Sequence, residues 1–112
     1  MTDKFLEHVE DAEEFVGQVL GPYLNRPPRE DVDWLVGELV RLGLPLATKI
    51  AAVPEGERTP QAAGAESDWI YFTTHGPLDQ SDHAAWNWSR GLARVVRSLA
   101  TGVREHQPTG VL

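Results

Sequence analysis

Hydrophobic positions recur with a helical period most clearly between Ser81 and Glu105. There Ala85, Trp88, Leu92, Val95, Val96, Leu99 and Val103 share one face at roughly 100° per residue. The other face gathers Arg90, Arg94, Arg97 and Arg104, with His83 and Trp86 at its N-terminal end. Asp79 or Ser81 is placed to cap this helix. A second stripe, Phe5, Val9, Ala12, Val16 and Val19, predicts a helix over 3–20, with Thr2 as its N-cap and Gly21-Pro22 as its stop, the glycine taking a left-handed cap. A third, Val32, Leu35, Val36, Leu39 and Leu42, predicts a helix that starts near Pro28 and stops at Gly43.

Between these helices the pattern changes. After Pro45, residues 46–53 (LATKIAAV) alternate and read as a strand, with a short helix as the alternative. Residues 54–67 carry two prolines, two glycines and three glutamates and read as a surface loop. Residues 68–75 (DWIYFTTH) read as a stronger strand, with Trp69, Tyr71 and Thr73 on one face and Ile70, Phe72 and Thr74 on the other. The expectation is an α+β fold in the order helix–helix–strand–strand–helix, its long C-terminal helix packed on a short antiparallel sheet. Residues 1–106 form a single domain and 107–112 a frayed tail. A strand with large apolar groups on both faces needs cover on both, and this points to a homodimer.

Composition narrows the function classes. The 112 residues contain no cysteine, which removes disulfides, thiol nucleophiles and thiolate metal sites and fits a reducing, cytoplasmic setting. The first twenty residues are acidic instead of basic-then-apolar, unlike a secretory signal, and no apolar run is long enough to span a membrane. Arginine outnumbers lysine eight to two, the association of a GC-rich bacterial genome. The net charge of −7 is concentrated in residues 1–40, where ten acids face three bases. Such a field repels duplex phosphate and disfavours general nucleic-acid binding, while it permits a basic protein partner.

Chemistry-bearing motifs are sparse. His8, His75, His83 and His106 show no metal-ligand spacing, and no cofactor or metal is expected. The serines lack a nucleophile elbow, and no phosphate-binding glycine loop is present. His75 at a strand end with His83 at a helix start is the nearest approach to a catalytic cluster, so a small-molecule enzyme there is one alternative.

The arginine stripe and two tryptophans on polar faces carry more weight, since Trp and Arg are enriched in interface hot spots. Trp34 lies near Arg41, and Trp86 near Arg90 and Arg94. The same arginines could instead be solvated, or paired with the acidic face of the first helix, and a misjudged helix phase would return the tryptophans to the core. The function expected is a small acidic, non-enzymatic interaction or regulatory protein, similar in size, charge and layout to inhibitors and chaperones that grip one partner. It docks a protein through Trp34, Arg41, Trp86, Arg90, Arg94, Arg97 and Arg104, with Glu7, Glu10, Asp11 and Glu14 as a secondary acidic surface. A DNA-binding regulator using the arginine stripe is the other alternative.

Overall fold

The computed structural model describes residues 4–21 and 26–106 and contains four α-helices: α1 (Lys4–Leu20), α2 (Arg29–Ala51), α3 (Pro60–Thr74) and α4 (Asp82–His106). A short 3₁₀ turn, Glu55–Glu57, lies between α2 and α3. The described residues contain no strand, so the chain is a helical bundle and the α+β expectation is overturned, together with both strands and the sheet. Thr2, Pro22 and the tail at 107–112 lie outside the described residues.

Helices α1 and α4 follow the sequence pattern. Val9, Ala12, Val16 and Val19 of α1 are buried, while Glu7, Glu10, Asp11 and Glu14 stand in solvent. Gly21 follows α1 as a bend without the left-handed conformation expected of it. Ser81 caps α4, its hydroxyl accepting from Ala84 N–H at 3.0 Å, and Ser81 N–H is held in turn by the Asp79 carboxylate at 2.7 Å.

The predicted strand at 46–53 is largely the continuation of α2. Leu39, Leu42, Leu46 and Ile50 are buried at spacings of three and four, so the helical stripe runs straight through Gly43 and Pro45. Pro45 has no N–H for the carbonyl of Arg41, but both residues are on the exposed side of the helix, where an unpaired carbonyl costs little. Gly43 is a contact point instead of a terminator. A Cβ there would meet the Trp69 ring, with Cη2 at 2.7 Å, so the absence of a side chain admits the tryptophan against the α2 backbone.

Residues 60–74 form α3, across the predicted loop and strand together. Ala62, Ala65 and Trp69 are buried and Phe72 packs against the core beside them, again a spacing of three and four. Tyr71 and Ile70, placed on strand faces by alternation, are instead 60% and 57% exposed. Thr59 is the N-cap, its hydroxyl accepting from Ala62 N–H at 3.1 Å, and Pro60 takes the first helical position. Thr73 turns its hydroxyl back onto the Trp69 carbonyl at 2.8 Å, which lets a β-branched polar residue sit within the helix.

Helix α4 is the common partner, in contact with α1, α2 and α3. Three neighbours demand a wide buried arc. Besides the predicted stripe, of which Trp88 is only half-buried, it buries Trp86, Ser89, Ala93, Ala100 and Gly102. Ser89 tolerates this because its hydroxyl donates to the Trp86 carbonyl at 2.7 Å.

The α2–α3 connection is clamped by Arg58. Its guanidinium donates to the carbonyls of Val53 at 2.8 Å and Ala51 at 3.1 Å, and to the Glu66 carboxylate at 2.8 Å. One cation therefore closes the carbonyl end of α2 and holds the first half of α3. At the same end of the bundle, Thr59 donates its hydroxyl to Glu105 at 2.8 Å and its N–H to His106 Nε2 at 3.1 Å. No described helix is long and apolar enough to cross a membrane.

Candidate functional site: an aromatic cleft at the open end of the bundle

The residues expected to form a Trp/Arg docking face divide into two groups. Trp86 is 5% exposed and belongs to the core. Arg90 lies over its ring, 5.6 Å from the centroid, and donates to the Val19 carbonyl at 3.2 Å, so this guanidinium binds α4 to the end of α1. Arg104 makes a two-pronged pair with Glu13 at 2.6 and 2.8 Å. The hydrogen bond from Arg104 holds the Glu13 carboxyl below the ordinary carboxylate range, against the opposing effect of partial burial. Arg94 and Arg97 remain exposed, with no ion pair to another described residue. Arg41 pairs with Glu38 at 2.9 Å on the same helix.

Trp34 is 60% exposed and meets Phe15 edge-on at 5.9 Å. Trp34 and Trp86 line one shallow groove of about 270 Å³ together with Phe15, Val19 and Leu35. The two tryptophans thus share a surface, but only Trp34 projects from it.

A larger feature lies where α3 ends and α4 begins. Phe72 and Tyr71 from α3, Pro77 and Leu78 from the connecting segment, and Trp88 from α4 line a cleft of about 370 Å³. Volumes of this order are typical of sites that hold a small molecule or the anchor residues of a peptide. Phe72 and Trp88 face each other with centroids 6.1 Å apart and planes inclined by 32°, and Tyr71 stands edge-on to Phe72 at 6.1 Å. Trp88 is fixed in place because its Nε1–H donates to the His75 carbonyl at 3.0 Å. Leu78 is fully exposed.

The polar rim of the cleft comes from Asp79, Ser81, His83 and Asn87. The Asp79 carboxyl lies below the ordinary carboxylate range because the Ser81 hydroxyl and then the Ser81 N–H bond to it. His83 Nε2 is 3.0 Å from the Asn87 amide nitrogen, a donor, so that nitrogen acts as an acceptor. His75 stacks on Tyr71 at 4.5 Å, and its Nδ1 faces the Tyr71 carbonyl at 3.1 Å. The two histidines expected to form a catalytic cluster stand at one corner, yet no hydrogen bond joins them and only His83 lines the cleft. Among the described residues no three His, Asp or Glu side chains are grouped to hold a metal ion.

The cleft was not visible in the sequence because it depends on α3 being a helix. Alternation put Trp69 with Tyr71 and separated both from Phe72, whereas the helix sends Trp69 and Phe72 to the interior and leaves Tyr71 at the rim. The available signal was Thr59-Pro60 as cap and first helical residue, followed by Ala62, Ala65, Trp69 and Phe72. No protein-family model, curated protein or solved structure matches the chain.

Proposed function

We propose that the protein is a small, non-enzymatic binding module of the cytoplasm that docks a protein partner through the aromatic cleft between α3 and α4. The observation that carries this reading is the pair of large apolar side chains left in solvent at the cleft: Leu78 fully and Tyr71 by 60%. Large apolar groups clustered in solvent, beside a cleft with a polar rim, are the anatomy of an interface core before its partner arrives. Trp34 and the exposed Arg94 and Arg97 offer a second contact region elsewhere on the surface. With Arg90 and Arg104 both tied to α1, the arginine stripe supplies two open cations, a small footprint for phosphate tracking beside a net charge of −7.

Panning a random peptide library on the immobilised chain tests the reading. Peptides with apolar or aromatic anchors are expected to be enriched, and Leu78→Asp is expected to abolish their capture while the helical circular-dichroism signal stays intact. Enrichment that ignores Leu78→Asp, or none at all, overturns it. If the partner is a second copy of the chain, light scattering gives a dimer that Leu78→Asp returns to monomer.

A further inference from the structure

The cleft has a charge character as well as an apolar one. Three aromatic rings, Tyr71, Phe72 and Trp88, line it, and among the described residues no lysine or arginine does. Asp79 supplies its one carboxylate. His83 also stands on its wall, with Nε2 engaged as an acceptor from the Asn87 amide. Arg26 and Arg29 approach the adjoining segment, but both pair with Asp82, at 4.0 and 3.2 Å, and Arg29 also pairs with Asp33. Arg29, which also donates to the Gln80 carbonyl at 3.3 Å, lines a neighbouring recess of about 200 Å³ that shares Pro77 and Trp88 with the cleft. Aromatic faces carry negative quadrupoles, so rings grouped beside a carboxylate and away from unpaired cations form a site that attracts an organic cation.

Resting on the docking reading above, we infer that the cleft receives a lysine side chain carried by an apolar segment of the partner. The alkyl stem lies along Pro77 and Leu78, and the ammonium sits over the rings of Phe72 and Trp88, within reach of Asp79. A lysine fits this mixed wall better than a purely apolar anchor does, because its stem is hydrophobic and only its tip is charged. The Trp88 indole N–H is already bonded to the His75 carbonyl, so it is not a competing donor in the cleft. The surrounding field has the matching sign, since the chain carries a net charge of −7.

The test is a titration of the ¹⁵N-labelled chain with two capped peptides, acetyl-Leu-Lys-Leu-amide and its norleucine analogue, which keeps the stem and lacks the ammonium. The lysine peptide is expected to shift the Trp88 indole and Leu78 amide signals and to bind about fivefold more tightly than the norleucine peptide. Asp79→Asn, which preserves the acceptor for Ser81 N–H, and Tyr71→Leu, at an exposed position, are each expected to reduce that preference. High salt is expected to reduce it as well. Equal binding of the two peptides at the same signals overturns the cation assignment and leaves the docking reading standing. No shift at these signals with either peptide overturns both. Tetramethylammonium alone matching the lysine peptide assigns the cleft to a free organic cation and overturns the peptide assignment.

Discussion

The two ends of α3 are built on opposite plans. At its N-terminus Thr59 caps the helix and also bonds to Glu105 and His106, while Arg58 joins the end of α2 to Glu66. At its C-terminus the helix gives way to a segment in which Leu78 packs on nothing, and a single indole hydrogen bond from Trp88 holds the His75 carbonyl. The first end answers its polar groups from within the chain. The second leaves apolar surface unanswered, and it is there that binding is assigned. A small domain has few hydrophobic residues to spare for solvent, so apolar side chains left exposed at one end separate the part that maintains the fold from the part proposed to meet a partner.

The contrast makes ranked predictions. Arg58→Ala should have the largest effect on stability, about 2–3 kcal/mol, because it strips the carbonyls of Ala51, at the end of α2, and Val53, just beyond it, and leaves Glu66 partly buried without its cation. Urea unfolding followed by circular dichroism measures it. Arg58→Lys should recover only part of the loss, since an ammonium does not reproduce the guanidinium fork.

Two glycines on α4 come next. A Cβ on Gly102 would stand 3.0 Å from the Ala62 Cα, at backbone that cannot step aside, so Gly102→Ala should cost about 1 kcal/mol net of its gain in helix propensity. A Cβ on Gly91 would meet the edge of the Phe72 ring at 2.8 Å, at the open end. That ring is half-buried and can turn, so Gly91→Ala should leave the urea midpoint nearly unchanged while weakening peptide binding at the cleft. Equal destabilisation by the two substitutions would erase the distinction between the ends.

The smallest effect is electrostatic. Because Arg104 depresses the folded-state pKa of Glu13, the pair stabilises the fold above the unfolded-state pKa of this carboxyl and loses that contribution as pH falls through the folded value. Glu13→Gln should therefore cost less than about 1 kcal/mol near neutrality, given the solvent exposure of the pair, and the difference from wild type should shrink with acidification. A difference that grows toward acid pH would contradict the assigned direction.

The sequence made α1 and α4 legible because each carries a strong stripe of Val and Leu opposite charge. α3 was obscured for two separate reasons. Its first half buries alanines, Ala62 and Ala65, which barely register as hydrophobic, and its second half is crowded with Trp, Ile, Tyr, Phe and Thr, the composition of a strand. Tertiary packing decided the outcome, with Trp69 settling against Gly43. The phase of Trp86 was misjudged for a different reason. A one-sided stripe describes a helix with one neighbour, whereas α4 has three, and its buried arc extends to Trp86 and Ser89. Of the expected docking residues, Trp34, Arg41, Arg94 and Arg97 lie on the surface, whereas Trp86 is interior and Arg90 and Arg104 are tied to α1. Arg104 pairs with Glu13 of α1, a residue outside the expected acidic surface of Glu7, Glu10, Asp11 and Glu14, which stand in solvent.

The exposure of Leu78 also bears on how the chain would survive being cut. A protease that cleaves after this residue would break the covalent path between α3 and α4 without opening either helix, since α3 ends at Thr74 and α4 begins at Asp82. The released α4 would still lie against α1, α2 and α3, whose apolar faces have no other cover, so the two fragments should elute together and separate only in denaturant. Such a nicked molecule would keep its bundle and lose the tether that positions Pro77 and Leu78, a scission that would turn off the proposed recognition without dismantling the protein.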